Sequence, residues 1–191
     1  MAKLIRIPLP IKVDRLTRIA QVRGADVYVH WSVLVIAAFM LVSATRGAML
    51  TIAGISGWLA IMFIHECGHA FAAQRYHSKV LSIELYPIFG YTRLEASWSR
   101  LSECMIVWAG VMAQIIFAIP VVTFLVVHGY TSAEPINALL ALLGPYSLAV
   151  VAFNLLPIDR LDGATAWKLL PSLFSTRRSA RSAAAAQSRW R

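Results

Sequence analysis

The sequence has few charged residues and few cysteines, and each scarcity excludes a class of protein. Only 14% of the 191 residues are charged and 59% are hydrophobic, which is not the composition of a soluble globular domain. The two cysteines, Cys67 and Cys104, lie within or at the edge of apolar stretches, so no disulfide framework is expected. Residues 1–24 hold no apolar core ahead of a small-residue cleavage site, so we expect no secretory signal peptide.

Charge is missing altogether from four long stretches of the chain. Each is close to, or longer than, the ~20 residues that a helix needs to cross a bilayer. The stretches are Val27–Thr45, Gly47–Ile64, Cys104–Ala133 and Pro135–Ile158. They predict an all-α polytopic membrane protein with about four transmembrane helices, near 28–45, 49–73, 103–128 and 135–157.

The segments outside these helices are too short for a separate soluble domain. We predict a basic cytoplasmic N-terminal segment at 1–27, a transmembrane core at 28–167 and a basic C-terminal tail at 168–191. The N-terminal segment is partly amphipathic and could lie on the inner membrane surface.

The formal net charge of +9 could suggest a nucleic-acid partner, but its distribution favours a topological explanation. With four spans, all 18 lysines and arginines except Arg46 lie on one side of the membrane. The positive-inside rule makes that side the cytoplasm. We therefore predict a multi-pass protein of the cell membrane with both termini in the cytoplasm, and no nucleic-acid partner.

An H-E-x-x-H motif stands in the second predicted helix, formed by His65, Glu66 and His69. Positions i and i+4 lie on one helix face, so both imidazoles can reach one metal ion. Glu66 lies beside that face, where its carboxylate could take a proton from a water molecule. The alternative is a chance match, or two solvated histidines at a helix end.

The depth of this motif in the membrane favours a functional site over a chance match. Sixteen residues separate Met49 from His65, or about 24 Å along a helix, so the motif falls near the cytoplasmic boundary of the hydrocarbon. Ionisable groups at membrane depth are costly and are therefore functional candidates. The placement suits a hydrolase whose substrate lies in the bilayer.

A zinc site of this type needs one further protein ligand. The fourth predicted helix reaches the same depth near Pro157, where Pro157 and Gly163 predict a bend. Asp159 and Asp162 are the main candidates there, and their spacing does not separate them. Either carboxylate could instead pair with Arg160.

Two further segments bear on substrate binding and packing. Residues 80–95 partly alternate around turn residues, which indicates a short β-hairpin or re-entrant loop whose edge could pair with an extended substrate, or else a plain loop. In the third helix, Gly110 and Ala113 allow close helix packing. The amide of Gln114 needs a polar partner and could face the metal site.

His65-Glu66-x-x-His69 in one membrane helix and Asn154-x-x-Pro157-x-x-x-Leu161-Asp162-Gly163 at the end of a later one together resemble the site-2 protease family of intramembrane zinc metalloproteases. The resemblance extends from Tyr28 to about Trp167. It implies one Zn²⁺ per chain, held by His65, His69 and Asp162, and so favours Asp162 over Asp159. It also implies that Glu66 is the general base and that Asn154 positions the substrate or polarises its carbonyl.

The resemblance implies an endopeptidase that cleaves within or next to a transmembrane segment of a membrane protein, in regulated intramembrane proteolysis. A regulatory membrane protein is a possible partner, and we expect a minimal catalytic core without PDZ or CBS domains. Four positions depart from the family pattern: Tyr91, Gln114, Asp159 and Ala164. The rival function is a catalytically silent membrane protein that binds metal, against which the retained Glu66 argues, because a structural zinc site usually has four protein ligands.

Overall fold

Three long apolar helices dominate the structure, a computed structural model that describes residues 16–45, 47–95, 99–159 and 161–168. Each is long and apolar enough to cross a membrane. They are α2 (Ala48–Arg75), α3 (Arg100–His128) and a continuous helical segment, Glu134–Asn154. The sequence predicted all three to within a few residues, and they make the chain a multi-pass membrane protein.

The third of these helical segments changes its winding midway. It consists of α4 (Glu134–Ala141), a π-helical turn (Leu142–Tyr146) and α5 (Ser147–Asn154). Pro145 lies within the π turn and cannot donate a backbone hydrogen bond. The local rewinding therefore coincides with the residue that interrupts the α-helical hydrogen bonding.

The first predicted transmembrane helix is shorter than expected. Helix α1 (Trp31–Val42) has 12 residues, or about 18 Å of length, against the ~30 Å of a bilayer core. Residues 28–30, which the sequence assigned to this helix, belong to a β-strand instead. The count of four full-length spans is therefore not confirmed.

A four-stranded sheet accompanies the helices, which corrects the all-α prediction to a mostly helical fold with a small mixed sheet. Its strands are β1 (Leu16–Val22), β2 (Ala25–His30), β3 (Val80–Leu85) and β4 (Gly90–Leu94), in that spatial order. The predicted hairpin at 80–95 is present as β3 and β4, so the plain-loop alternative is wrong. The outer pairs are antiparallel, and β2 pairs with β3 in parallel.

The hairpin of β1 and β2 was not foreseen from the sequence. Its two turn residues, Arg23 and Gly24, both have positive φ, as the tight turns that suit the strand twist require. Alternate residues of β2, Ala25, Val27 and Val29, are buried. Strand β2 crosses the predicted domain boundary between residues 27 and 28, and the domain division itself stays a prediction.

The sheet packs against α2, which in turn packs against α3, at one end of the helix bundle. Its buried side chains join those of the two helices in one apolar cluster, which includes Val27, Val29, Met62, Ala73, Ile83, Leu85 and Ile106. Because β2 and β3 run parallel, with Val29 opposite Leu85, the start of α1 lies beside the end of β3.

The outward surfaces of the helices carry large apolar side chains. Ile116 and Val126 on α3 are 66% and 79% exposed, and Phe39 on α1 is 70% exposed. Such surfaces suit contact with lipid acyl chains. These chains are as apolar as the side chains, so the side chains gain nothing from being buried inside the protein instead. The N-terminal residues up to 15 and the basic tail from 169 lie outside the described residues.

We predict that Ile83→Ala destabilises the protein by about 2–5 kcal/mol, because Ile83 is fully buried in the cluster and its loss leaves a cavity. Leu81→Ala on the same strand is the control, since Leu81 is 49% exposed and its truncation should change stability by less than about 1 kcal/mol. Thermal unfolding in detergent measures both. Equal losses for the two variants would contradict this assignment of the core face.

Candidate metal centre

The H-E-x-x-H residues lie on α2, and all three side chains are buried. One helical turn separates His65 from His69, which brings their Nε2 atoms to 2.9 Å from each other. The two rings meet edge to face, with centroids 4.5 Å apart. The spacing that the sequence suggested thus becomes a pair of imidazole nitrogens directed at one point.

Asp162 joins the histidine pair from a distant part of the chain. It is the first residue of a short helix, α6 (Asp162–Ala166). Its Oδ2 lies 2.8 Å from Nε2 of His65 and 3.4 Å from Nε2 of His69. These three residues form a group whose ligand atoms could hold a metal ion. The other sequence candidate, Asp159, has an exposed side chain and is not part of that group among the described residues.

Helix α3 determines which ring nitrogens face Asp162. Nδ1 of His65 donates to Oε1 of Gln114 at 2.8 Å, and Nδ1 of His69 donates to the Ile106 carbonyl at 2.9 Å. A neutral imidazole that donates through Nδ1 carries its lone pair on Nε2. Outer hydrogen bonds of this kind orient metal-binding histidines and fix their tautomers. Both Nε2 lone pairs therefore point towards the carboxylate.

The donor set fits a zinc ion. Two imidazole nitrogens and a carboxylate oxygen are the ligand types of catalytic zinc sites, and tetrahedral ligands at ~2.0–2.1 Å from zinc lie about 3.3 Å apart. The observed separations of 2.8, 2.9 and 3.4 Å are close to that value. Oδ2 of Asp162 is buried, and its polar contacts among the described residues are the two histidine rings. With both Nδ1 atoms donating elsewhere, the two Nε2 lone pairs and the carboxylate oxygen converge on one point, an arrangement that a cation would satisfy.

The surroundings of Asp162 favour its ionised form. Burial alone would raise the pKa of its carboxyl group, but the close contacts with His65 and His69 outweigh burial and hold that pKa well below its usual range. A carboxylate must be deprotonated to bind a metal ion. The surroundings therefore keep Asp162 in the form that a metal would need.

Strand β4 orients Glu66. Oγ1 of Thr92 lies 2.7 Å from Oε2 of Glu66 and donates to it. At the start of the same strand, Gly90 lies so close to the Glu66 side chain that a Cβ atom there would overlap it. The sheet thus touches the residue next to the histidine pair, and any larger residue at position 90 would displace the Glu66 side chain.

The crossing of α2 and α3 depends on two further glycines. A Cβ on Gly68 would overlap the Ala109 carbonyl, and one on Gly110 would overlap the ring of His69. The close approach that the sequence predicted at Gly110 and Ala113 is confirmed, and it lets α3 reach both histidines.

Asn154 is the last residue of α5 and is partly buried. Its side chain has no hydrogen-bond partner among the described residues. Its amide can therefore bond a bound molecule without breaking a protein contact.

Sequence reasoning anticipated that Gln114 faces the metal site, and its amide does contact His65. It missed Thr92 and the carbonyl of Ile106. Thr92 lies in a stretch of alternating residues, and the sequence does not show which of them faces α2. The contact with Ile106 is made by its backbone carbonyl, which every residue has, so no residue type points to it.

We predict that Gly110→Ala lowers zinc affinity at least tenfold, because the new methyl group displaces the His69 ring from its hydrogen bond to Ile106. Gly54→Ala on α2 is the matched control, since a Cβ there meets no atom within 4 Å. Competition with a chelating dye measures both affinities. Unchanged zinc binding in the Gly110 variant would contradict the proposed contact.

Comparison with known proteins relates this chain to one family and to one solved structure. The model of peptidase family M50 matches residues 53–138, which include His65, Glu66, His69 and Gln114. The chain shares its fold with the site-2 protease from Methanocaldococcus jannaschii, at a TM-score of 0.59 and 24% identity over 82% of this chain and 72% of that one. No curated protein matches the chain significantly. The match over residues 53–138 and the shared fold make the chain similar to peptidase family M50 and to a site-2 protease.

Proposed function

We propose that the protein is a zinc-dependent intramembrane endopeptidase that cleaves a peptide bond within or next to a transmembrane segment of a membrane protein. The observation that carries the proposal is the convergence of His65, His69 and Asp162 within 4.8 Å of one another, beside the buried carboxylate of Glu66. The match of residues 53–138 to the model of peptidase family M50 supports the same reaction class.

His65, His69 and Asp162 would hold one zinc ion per chain. Zinc, when bound, polarises a substrate carbonyl and lowers the pKa of water towards ~7. With three protein ligands a fourth position stays open for water or substrate, as in catalytic rather than structural zinc sites. The hydrogen bonds from His65 to Gln114 and from His69 to Ile106 keep the two rings in place during turnover.

Glu66 would act as the general base. Its carboxylate accepts a proton from the attacking water and passes it to the leaving amine. The Thr92 hydroxyl occupies Oε2, which leaves Oε1 to take the proton. Asn154 would donate its amide hydrogens to the substrate and so fix its backbone beside the metal.

The substrate would bind in an extended form along the sheet. A transmembrane helix satisfies its own backbone hydrogen bonds, so a carbonyl reaches the metal only after local unwinding. Strand β4 is at the edge of the four-stranded sheet, and its backbone could pair with such a segment by strand addition. The contact of Thr92 and Gly90 with Glu66 brings that edge close to the base.

We propose that this end of the bundle faces the cytoplasm, with both termini on that side. Basic residues at the ends of the described elements support this orientation: Arg18, Arg23, Arg75, Lys79, Arg93, Arg100 and Lys168. The opposite link, residues 129–133, carries no lysine or arginine. A regulatory membrane protein that limits cleavage stays a prediction.

The rival function is a membrane protein that binds metal without catalysis. It would need the same three ligands but not the carboxylate of Glu66. Glu66 is buried and is held by Thr92, and burying a carboxylate that no function uses is unfavourable. The two functions therefore differ in what happens when Glu66 alone is changed.

We predict that Glu66→Gln abolishes cleavage while zinc stays bound, because the amide preserves the shape of the side chain but cannot accept a proton. Cleavage of a co-reconstituted single-span membrane protein, with and without a chelator, measures activity, and elemental analysis measures zinc. Cleavage by the variant at the wild-type rate would overturn the enzyme assignment. Zinc binding without cleavage by the wild type would favour the rival function.

We also predict that Asp162→Asn reduces bound zinc at least tenfold, because a neutral amide is a far poorer ligand than a carboxylate. Asp159→Asn is the matched control and should retain wild-type zinc, since its exposed side chain lies outside the ligand group. Elemental analysis after dialysis measures both. The reverse ranking would show that the third ligand is misassigned.

A further inference from the structure

The short segment that carries Asp162, residues 155–168, is not stable in one position without contacts to the rest of the protein. Helix α6 has only five residues, and isolated helices much shorter than ~12–15 residues are unstable in water. It follows a non-helical stretch after α5 that contains Pro157. The position of Asp162 must therefore come from contacts between this segment and the long helices.

Two indole groups make those contacts. Nε1 of Trp108, on α3, donates to the carbonyl of Ala166 at 3.1 Å. Nε1 of Trp167, directly after α6, donates to the carbonyl of Leu155 at 2.6 Å. The rings of Trp108 and Trp167 also meet edge to face, with centroids 5.8 Å apart. We refer to these two side chains as the tryptophan clamp.

The clamp ties the C-terminal end of α6 to two different helices. Trp108 holds the last residue of α6 to α3, and Trp167 holds the residue after α6 to the end of α5. The carbonyls at the end of a helix lack partners within the helix, so an indole donor there replaces a missing hydrogen bond. Asp162 lies one helical turn before these two points, at the start of the same short helix.

Close backbone packing also restricts the position of α6 relative to the end of α5. A Cβ on Gly163 would overlap the carbonyls of Leu155 and Leu156, so α6 lies directly on the turn that ends α5. The thiol of Cys104 donates to the Thr165 carbonyl at 3.3 Å, which adds a weak bond from α3. With the segment so placed, Asp162 meets the histidines without further movement.

We propose that Trp108 and Trp167 are positioning residues that hold Asp162 at the histidine pair before any metal binds. The inference rests on the proposed metal site but not on proteolysis. A ligand that is already in place loses less conformational freedom on binding, so the clamp raises metal affinity. Outer contacts that orient metal ligands typically account for 10–100-fold in affinity.

A different role for these residues is anchoring at the membrane surface, where tryptophan is enriched. The two roles depend on different parts of the side chain. Anchoring needs an aromatic ring at the interface, whereas the clamp needs the indole N–H. Substitution by phenylalanine keeps a ring and removes the donor, so it separates them.

The experiment compares Trp108→Phe, Trp167→Phe and the double variant with the wild type, as full-length protein in detergent. Trp58→Phe is the matched control, because its indole also donates to a backbone carbonyl, that of Pro87 at 3.0 Å, but lies away from α6. Hydrogen exchange of peptides from 155–168 is measured without metal, and zinc affinity by competition with a chelating dye.

In the double variant we expect exchange in 155–168 to quicken about fivefold or more, because each lost hydrogen bond makes local opening easier. Zinc affinity should fall about 10–100-fold. Exchange within 48–75 should not change, and Trp58→Phe should leave the 155–168 peptides as in the wild type. If the double variant also disturbs 48–75, the two single variants decide the question.

Unchanged exchange in 155–168 together with unchanged zinc affinity would overturn the proposal. So would an equal effect of Trp58→Phe on that segment, since the loss would then not be specific to the clamp. A wild type that binds no zinc would refute the proposed metal site instead. In that case the exchange measurement still decides whether the indole donors hold the segment.

Discussion

Three hydrogen-bond acceptors meet at one buried point, and this unfavourable convergence is the constraint on which the rest of the structure depends. The Nε2 atoms of His65 and His69 lie 2.9 Å apart, and Oδ2 of Asp162 lies within 3.4 Å of each. Acceptors repel at such distances unless a positive charge lies between them. Helix α3 holds all three in place, since Gln114 and Ile106 bond the two rings and Trp108 bonds the segment that carries Asp162.

Such a site can form in a bilayer only if its polar groups are shielded from lipid. Glycine supplies that shielding by letting backbones approach where a side chain would collide, as at Gly68 and Gly110 between α2 and α3. Gly163 does the same where α6 lies on the end of α5. In each case the missing Cβ brings a hydrogen-bond partner or a ligand within reach.

The sheet links Glu66 to the strand edge on which an extended substrate could pair. Thr92 on β4 donates to Glu66, and β4 is the edge strand of the sheet. The hairpin of β1 and β2 covers the other side of β3, so within the described part of the chain β3 is paired on both sides and β4 on one. The free edge of β4, beside Glu66, is the surface on which the proposed strand addition depends.

The sequence by itself determined the long apolar helices and the pairing of His65 with His69, because hydropathy and helical spacing are local properties. For residues 80–95 it indicated a hairpin without separating it from a loop, and the structure decided between the two. It suggested Asp162 only through a family resemblance, since nothing local separates it from Asp159. The hairpin of β1 and β2 was missed because its apolar residues merge with the run that becomes α1. Only the tertiary structure decided which groups hold the side chains of the site. These groups are the Ile106 carbonyl, the Thr92 hydroxyl and the indoles of the clamp. Most of them are far in sequence from the groups that they contact, and such long-range contacts leave no periodic signal in the sequence.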